Sequence, residues 1–251
     1  MGFWLERLQP VFASFGLFVA KNRRKYVYVN SNRLWNPQNL AVDIDFNTFK
    51  NIVDRVAEDD RTLLGDDRLY VLWQAVRNTA FLSGSVAEIG SYRGGSAFFI
   101  AESFRKLTGK EVEFHVIDTF EGHPECITPG IDREDKHKPK MFGDTNYNDV
   151  VSYLSCFSRM QIHKGECADI MGTLMEQKYR MVHVDVDLYQ PTLECLKYFG
   201  SRLIRGGIIV VDDYGAPKCP GVQKALNLYL NESSKYSQWL IKTEQAILVR
   251  V

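Results

Sequence analysis

The chain has 251 residues, of which 45% are hydrophobic, and this is enough to bury a sizeable core in one large α/β domain or two small ones. Lysine plus arginine equals aspartate plus glutamate at 31 each, so the formal charge is zero and no overall positive field would attract nucleic acid. The five cysteines form no C-x-x-C pair, which argues against a zinc site or a disulfide framework and suits the reducing cytoplasm, where we expect the protein to work.

The N-terminal eighty residues are predicted to form a helical extension. The apolar segment from Val11 to Ala20 is too short to span a bilayer, and the basic run after it reverses the order of a signal peptide. Further on, Leu69, Leu72 and Trp73 show the spacing typical of a helix with one buried face. We expect residues 1–80 to pack on the core or on a second subunit rather than on a membrane.

From Val86 onward, short apolar runs alternate with helical stretches. Five of these runs read VAEIG, EFHVID, MQIHKG, MVHVDVD and GIIVVDD. This alternation predicts a parallel sheet. The last two runs, SQWLIKT and AILVRV, are separated only by the turn-like EQ and are expected to form an antiparallel hairpin at a sheet edge. The predicted fold is therefore α/β, a doubly wound and mostly parallel seven-stranded sheet over residues 81–251.

Residues 121–149 interrupt this rhythm with a polar stretch that has little periodicity. Loops of this length inside compact domains often act as lids or binding elements, so we expect a loop that covers the substrate. Two histidines on it, His123 and His137, are placed to meet a substrate. The other three histidines, His115, His163 and His183, fall in predicted strands and are expected in core or half-buried positions.

The glycine-rich turn AEIGSYRGGS follows the first predicted strand of the sheet. Ligands of doubly wound folds bind beyond the carboxyl ends of the strands. Gly90 would allow a tight turn, and Gly94 with Gly95 would admit a close ligand. The spacing is not G-x-G-x-x-G, so a pyrophosphate grip is poorly supported. Glu88 would repel a phosphate but tolerate a cationic or amino-bearing ligand such as S-adenosylmethionine.

Two further strand ends carry residues suited to a nucleoside. Asp118, about thirty residues beyond Glu88, is placed to accept both hydroxyls of a ribose, as in NAD and S-adenosylmethionine enzymes alike. The alternative is that Asp118 caps a following helix. Gly165 and Glu166, at the end of the third strand, would lie beside an adenine.

Four aspartates end the next two predicted strands. Asp185 and Asp187 point to the same side because side chains alternate along a strand, and Asp212 with Asp213 ends the neighbouring strand. Carboxylates packed this closely repel one another unless a cation or a proton neutralises them. Magnesium, which prefers oxygen ligands, is one solution. Separate helix caps and salt bridges to lysine or arginine are the alternative.

Together these motifs resemble the macrocin O-methyltransferase family (TylF type), class I enzymes that use S-adenosylmethionine to methylate sugar hydroxyls on natural products. The resemblance runs from about Arg61 to Tyr229 and rests on RTLLGDDRL, VAEIGSYRGGSA, VIDTFEGHPE, VHVDVDLYQPT, LIRGGIIVVDDYG and PGVQKALNLYL. It implies a Rossmann-like methyltransferase fold. Tyr92 departs from a frequent tryptophan. The first sixty residues and the loop 126–146 match poorly, so the acceptor's identity does not carry over.

The resemblance also implies roles for individual residues. Magnesium would be held by Asp185, Asp212 and Asp213, and Asp187 would be the general base. The residues implied to bind S-adenosylmethionine are Thr62, Leu63, Glu88, Gly90, Ser91, Tyr92, Gly94, Asp118, Thr119, Phe120, Gly122, Gly165 and Glu166.

The expected function is a magnesium-dependent O-methyltransferase acting on a sugar hydroxyl of a secondary-metabolite glycoside or a surface glycan. Methylation of a catechol or another vicinal diol would use the same metal chemistry and is the nearest alternative. An NAD-dependent oxidoreductase would share the sheet and the acid at Asp118, but it lacks the required glycine spacing and has no use for four aspartates.

Overall fold

A computed structural model describes most of the chain and divides it between Lys50 and Asn51 into two compact units. The described residues are 17–22, 25–30, 46–124, 128–133, 136–233 and 235–251. In chain order their strands and helices are β1 (Leu17–Asn22), β2 (Lys25–Asn30), α1 (Phe46–Glu58), α2 (Asp66–Thr79), β3 (Ser85–Ile89), α3 (Gly95–Thr108), β4 (Phe114–Asp118), α4 (Tyr147–Leu154), β5 (Met160–Lys164), α5 (Cys167–Thr173), β6 (Tyr179–Val184), α6 (Tyr189–Arg202), β7 (Leu203–Val211), α7 (Pro220–Asn231), β8 (Tyr236–Leu240) and β9 (Ala246–Arg250).

The larger unit contains the predicted seven-stranded sheet. Its strand order is β5-β4-β3-β6-β7-β9-β8. The first five strands pair in parallel, whereas β9 runs antiparallel to both β7 and β8. The doubly wound sheet and its terminal hairpin are therefore confirmed. In the sheet β3 has β4 on one side and β6 on the other, so the strand order reverses between β3 and β6. Folds of this type bind ligands in the crevice at the carboxyl ends of these two strands.

The central strands are buried on both faces. All five residues of β3 are buried, as are Met181 to Val184 in β6. Strands covered by helices on both sides are usually continuous apolar runs, since no face of them meets water. Glu88 in β3 and His183 in β6 are fully buried exceptions to this pattern, and they lie side by side in the sheet register.

Helix α2 carries the predicted buried face. Leu69 is 2% exposed, while Leu72 and Trp73 are fully buried, and Asp66 with Asp67 opens the helix where the macrodipole favours negative charge. The helix packs against α3, β6 and β7. Helix α2 and the part of α1 from Asn51 onward belong to the larger unit, and this division differs from the predicted domain boundary at residue 80.

The N-terminal extension also differs from the expected run of helices. Strands β1 and β2 form an antiparallel hairpin in which Leu17 lies opposite Asn30. The sequence KYVYVN explains the strand, because tyrosine and valine favour the extended backbone. The expected helix over Val11 to Ala20 thus fails from Leu17 onward, and its earlier part lies outside the described residues.

The stretch 121–149 forms turns in its described parts and ends where α4 begins at Tyr147. The Asn146 side chain caps this helix by accepting a hydrogen bond from the Asp149 N–H at 3.1 Å. None of the helices in the described part of the chain combines the length and apolar character that crossing a lipid bilayer requires.

Candidate active site

A cavity of about 210 Å³ lies at the carboxyl ends of the parallel strands. Most of the predicted site residues line it, and these are Thr62, Leu63, Gly90, Ser91, Tyr92, Asp118, Thr119, Gly122, Gly165, Glu166, Asp185, Asp187 and Asp213. The remaining predicted residues, Glu88, Gly94, Phe120 and Asp212, lie outside its described lining. The structure thus brings most of the proposed cofactor residues and three of the four aspartates to one cavity.

The turn between β3 and α3 requires glycine at two places. Gly90 has φ 86°, and a Cβ there would overlap the backbone oxygen of Asp185. Gly95 donates its N–H to the Arg61 oxygen at 3.1 Å, and a Cβ would collide with the Arg61 backbone. These two positions bring the turn close to the β6 end and to the segment before α2. Gly95 therefore serves packing rather than ligand approach.

Two predicted contact residues have structural roles beside the cavity. Gly94, the N-cap of α3, has φ 80°, and a Cβ there would lie 3.0 Å from the Val150 side chain. Phe120 is buried, and its ring lies 5.4 Å from the ring of Tyr147. Both residues therefore pack against α4 and are not part of the described lining of the cavity.

Asp118 lines the cavity and also ties the surrounding turns together. Its Oδ2 accepts the N–H groups of Ser91 and Tyr92, both at 2.8 Å, and its Oδ1 accepts the Phe120 N–H at 2.6 Å. Burial raises the pKa of Asp118 by more than these three hydrogen bonds lower it. The alternative of a helix cap does not hold, because no helix of the described chain begins at Asp118.

Thr62 and Leu63 border the cavity from the segment between α1 and α2. The Thr62 hydroxyl accepts the Leu64 N–H at 3.1 Å, while the Leu63 side chain is 46% exposed. At the end of β5, the Gly165 N–H donates to the backbone oxygen of Asp118 at 3.0 Å, and Glu166 is the N-cap of α5. All four of these residues line the cavity.

Glu88 does not face the cavity but pairs with His183 inside the sheet. The two imidazole nitrogens of His183 contact Glu88 Oε1 at 2.9 Å and Asp212 Oδ2 at 3.2 Å. Burial lowers the pKa of His183, but the hydrogen bonds to Asp212 and Glu88 outweigh it and raise the value to about 10. A charged imidazole therefore links the β3, β6 and β7 ends. The prediction of a core role for His183 agrees with this geometry, whereas the predicted cofactor contact of Glu88 does not.

The four aspartates converge as predicted, but they fall into two groups. Ligating atoms of His183, Asp185 and Asp212 lie within 4.8 Å of one another, as do those of Asp187, Asp213 and Cys219. Asp187 and Asp213 both adopt left-handed backbone conformations, with φ 62° and 57°. Strained φ values of this kind concentrate at functional sites.

The charges of these aspartates depend on one another. Burial and the neighbouring Asp212 raise the pKa of Asp185 well above its usual value, and burial with Asp213 does the same for Asp187. For Asp212, burial acts to raise the pKa, but the His183 hydrogen bond and the Arg68 charge hold it below its usual value. Ionisation of all four aspartates would thus place more negative charge here than Arg68 and His183 neutralise.

Arg68 contacts the aspartates and was not predicted from the sequence. From the first turn of α2 its guanidinium pairs with Asp212, with Asp213 at 2.9 Å and with Glu244 at 2.9 Å. The alternative prediction, in which salt bridges rather than a metal ion neutralise the aspartates, is therefore confirmed for Asp212 and Asp213. Arg68 stands in the motif RTLLGDDRL, but its 144-residue separation from Asp212 left no local signal.

Three other residues lie around the aspartates, and of these only His123 was among the predicted substrate contacts. The Gln245 amide donates to Asp212 Oδ2 at 2.9 Å. Cys219 Sγ lies 3.5 Å from Asp187 Oδ1, and burial and the Asp187 charge raise the pKa of this thiol, so it stays protonated. His123 lines the cavity, with Nε2 3.7 Å from Asp187 Oδ2.

Comparisons with known proteins identify the family and the fold. The family model described as macrocin-O-methyltransferase (TylF) matches residues 53–240. Mycinamicin III 3''-O-methyltransferase of Micromonospora griseorubida is 25% identical over 177 residues, which are 63% of this chain and 66% of the relative. The 8-demethyl-8-(2,3-dimethoxy-alpha-L-rhamnosyl)-tetracenomycin-C 4'-O-methyltransferase of Streptomyces olivaceus is 26% identical over 167 residues, which are 63% of this chain and 64% of the relative. The chain thus spans slightly less than two thirds of the length of these two relatives.

Among solved structures, the O-methyltransferase NovP superposes with a TM-score of 0.68 at 21% identity, covering 76% of this chain and 82% of that one. At this identity the similarity shows the fold. The family model, in contrast, matches well over half of the sequence in hand. The chain therefore belongs to the macrocin-O-methyltransferase (TylF) family.

Proposed function

We propose that the protein is an S-adenosylmethionine-dependent O-methyltransferase that uses a divalent cation, magnesium, to methylate a sugar hydroxyl. One observation carries the proposal: a single cavity is lined by the glycine turn and Asp118 on one side and by Asp185, Asp187 and Asp213 on the other. A cofactor site and an acidic site that share a cavity can act on one acceptor. The names of the relatives, one of which refers to a rhamnosyl group, support a sugar as that acceptor.

The cavity fits S-adenosylmethionine. The Ser91 hydroxyl is buried, and it has no hydrogen-bond partner in the described part of the chain although the residue lines the cavity. A buried polar atom of this kind normally has a partner, so it offers a hydrogen bond to a ligand. Asp118 keeps one acceptor position beside it, on Oδ1, since each carboxylate oxygen can accept two hydrogen bonds and three of the four positions are taken by N–H groups. Ser91, Asp118 and the Gly90 backbone would therefore hold the nucleoside.

The aspartates also fit a hard divalent cation. Asp185, Asp212 and Asp213 offer carboxylate oxygens, the ligands that magnesium prefers. The guanidinium of Arg68 already contacts two of them, so positive charge is favoured at this point. Burial and the neighbouring negative charges disfavour the anion of Asp185 and raise its pKa. A cation beside this carboxylate would therefore be favoured as well. A cation held here would share Asp212 and Asp213 with Arg68.

Asp187 is placed to act as the general base. S-adenosylmethionine would supply an electrophilic methyl group, and the divalent cation would supply charge that acidifies a nearby hydroxyl. Asp187 lines the same cavity, and burial and Asp213 raise its pKa, which makes it a stronger base than an ordinary carboxylate. It would take the hydroxyl proton as the acceptor oxygen bonds to the methyl carbon and the bond from that carbon to the sulfonium sulfur breaks, which would leave S-adenosylhomocysteine. The cavity wall would hold the two reactants together.

Calorimetry tests the cofactor first, because it needs no acceptor. S-adenosylhomocysteine is expected to bind and NAD is not, since the G-x-G-x-x-G spacing is missing. NAD affinity without S-adenosylhomocysteine affinity would contradict the proposal. A screen of sugar nucleotides, methyl glycosides and catechols then separates sugar methylation from methylation of an aromatic diol.

Two variants test the site residues. Asp187→Asn is expected to abolish turnover while S-adenosylhomocysteine still binds, and Asp212→Ala is expected to weaken the magnesium dependence. Full turnover by Asp187→Asn would remove it as the base. Activity of the parent enzyme that is indifferent to a chelator would overturn the metal assignment.

A further inference from the structure

His123 and His137 form a hydrogen-bonded pair beside Asp187 that the proposed function leaves unused. His123 lines the cavity, and only 9% of its side chain is exposed. His137 is 4% exposed, and its Nδ1 lies 3.2 Å from His123 Nε2. The second nitrogen of His137, Nε2, lies 2.9 Å from the backbone oxygen of Lys218. A line of contacts therefore runs from the segment before α7 to the rim of the cavity.

The backbone holds His123 in this place. Its N–H donates to the Met141 oxygen at 2.9 Å, and its own oxygen accepts the Lys140 N–H at 3.0 Å. Gly122, with φ 83°, allows the two arms of the loop to approach, because a Cβ there would overlap the Met141 oxygen. The ring of Phe142 packs edge-on against the imidazole at 5.3 Å. The imidazole of His123 is thus positioned by contacts on two sides.

The hydrogen bonds determine which nitrogen of each ring carries the proton. The Lys218 carbonyl can only accept, so His137 Nε2 must be the donor. In a neutral His137 the Nδ1 atom then accepts, and His123 Nε2 must donate to it. Burial, with a smaller effect of His137, lowers the pKa of His123 to about 4, so His123 is neutral at neutral pH.

The single proton on His123 Nε2 has two acceptors nearby, the nearer one His137 Nδ1 and the farther one the carboxylate of Asp187. The distance from Nε2 to Asp187 Oδ2 is 3.7 Å, longer than a hydrogen bond. Hydrogen bonds of catalytic groups are often long before substrate binds and shorten in the substrate complex. The other carboxylate oxygen, Oδ1, lies 3.5 Å from Cys219 Sγ. Because Lys218 and Cys219 are adjacent, one segment supports both contacts to Asp187.

We propose that His123 is a positioning residue that orients Asp187 toward the acceptor, and that His137 fixes the tautomer of His123 for this purpose. The inference rests on the proposed function, in which Asp187 is the base. In this arrangement His123 shares its single Nε2 proton between His137 Nδ1 and one oxygen of Asp187 as a three-centre hydrogen bond, and it leaves the remaining lone pairs of the carboxylate for the acceptor hydroxyl. A base held in one orientation reacts faster because less reorganisation precedes proton transfer.

A second histidine pair in the same unit provides a matched control. His115 Nδ1 lies 3.1 Å from His163 Nε2, and the rings stack at 5.3 Å. These two residues belong to β4 and β5 and do not line the cavity. His163→Leu therefore removes one member of a histidine pair without touching Asp187. Loss of packing alone would affect both pairs in the same way.

Nitrogen-15 NMR of the full-length protein at neutral pH tests the geometry without an acceptor. Both His123 and His137 are expected to carry their proton on Nε2, and Asp187→Asn is expected to shift the His123 Nε2 resonance. His163→Leu is expected to leave that resonance in place. A proton on Nδ1 of His123, or an Nε2 resonance that does not respond to Asp187→Asn, would overturn the proposal.

Steady-state kinetics test the consequence, with a TDP-rhamnose and a methyl rhamnoside as acceptor probes. We expect His123→Leu to lower kcat by about 10- to 100-fold, the effect typical of a misplaced catalytic group, with little change in acceptor KM or S-adenosylhomocysteine affinity. His123→Gln, which keeps an N–H donor near the Nε2 position, is expected to restore most of kcat. Equal losses in both variants, or kcat unchanged in His123→Leu, would refute the positioning role.

The variant Asp187→Asn separates the two proposals in the same assay. If Asp187→Asn is inactive while His123→Leu turns over like the parent, only the inference about His123 fails. If Asp187→Asn turns over normally, the assignment of the base fails, and with it the role of His123 in turnover. The NMR result stands in either case, because it depends on the contact and not on the reaction.

Discussion

Replacing Arg68 with methionine is expected to destabilise the cation-free protein substantially. Methionine keeps an unbranched apolar chain in α2 but removes the guanidinium that contacts Asp212, Asp213 and Glu244. Burial lowers the pKa of Arg68, but Asp212 and Asp213 raise it by more, so the wild-type side chain is charged throughout the usable pH range. The substitution therefore deletes one full positive charge beside buried carboxylates.

The size of the effect follows from the burial of each partner. The Asp212 side chain is fully buried, and the Arg68 side chain is 18% exposed, so their pair is largely shielded from water. Removing one partner of a buried pair costs about 3–5 kcal/mol. Asp212 keeps His183 and Gln245 as donors, which places the loss near the lower end, about 3 kcal/mol. Glu244 is 46% exposed, so the loss of its ion pair with Arg68 contributes little to the destabilisation.

Urea denaturation in the presence of a chelator measures this loss directly. Arg159→Met is the matched control, because Arg159 is 59% exposed and pairs with Glu113 at 3.8 Å, a pair worth at most about 1 kcal/mol. Adding millimolar magnesium should then stabilise Arg68→Met by more than the parent, since a bound cation would replace the missing charge. An Arg68→Met protein as stable as the Arg159→Met control would refute the argument.

Three further predictions concern residues around the same sheet. Asp118→Ala leaves three N–H groups without their acceptor and should lower the free energy of unfolding by about 3 kcal/mol or more. In urea denaturation Asp118→Asn should be intermediate between this variant and the parent, and equal stability of the two variants would contradict the reasoning. Gly90→Ala should prevent stable folding or lower the melting temperature severely, because φ is 86° and the new Cβ would overlap the backbone oxygen of Asp185. A normal melting curve would contradict this prediction. Burial lowers the pKa of His115 below 6.5, its value in the unfolded chain. This group should therefore leave the unfolding free energy unaffected above pH 6.5, and it should reduce the unfolding free energy as the pH drops below 6.5. In a pH series, His115→Gln should reduce that slope, and an unchanged slope would exclude His115 as its source.

The sheet could be predicted because its signals are local. Each strand is a short apolar run, and the turns after β3, β6 and β7 are marked by Gly90, Asp187 and Asp213, all of which adopt positive φ. Glycine does so without strain, and aspartate tolerates this conformation better than most residues. The ends of the strands, and with them the rim of the cavity, could therefore be placed from the sequence.

Side-chain partners across the sheet could not be predicted in the same way. Glu88 and His183 are 95 residues apart and become neighbours only through the pairing of β3 with β6. Glu88 was assigned to the cofactor because it stands two residues before the glycine turn, although the strand turns that side chain toward His183. The N-terminal hairpin was missed for a related reason, since the apolar residues before Lys21 also suited a helix, and β1 forms through its pairing with β2.

The hydrogen bonds to Asp212 explain why the acidic rim is stable before any cation binds. Oδ1 contacts Arg68 and the Asp213 N–H, and Oδ2 accepts from Gln245 and contacts His183. Both oxygens of this carboxylate are therefore held by donors from four parts of the chain, whereas the charge on Asp185 is disfavoured by burial and by Asp212. Of the three proposed ligands, Asp212 has its orientation set by the fold, and Asp185 has the most to gain from a cation. We therefore expect Asp185→Asn to stabilise the chelator-treated protein, because it removes the repulsion, and to lower its affinity for magnesium in calorimetry. A variant with reduced stability and unchanged affinity would show that Asp185 serves the fold rather than the metal.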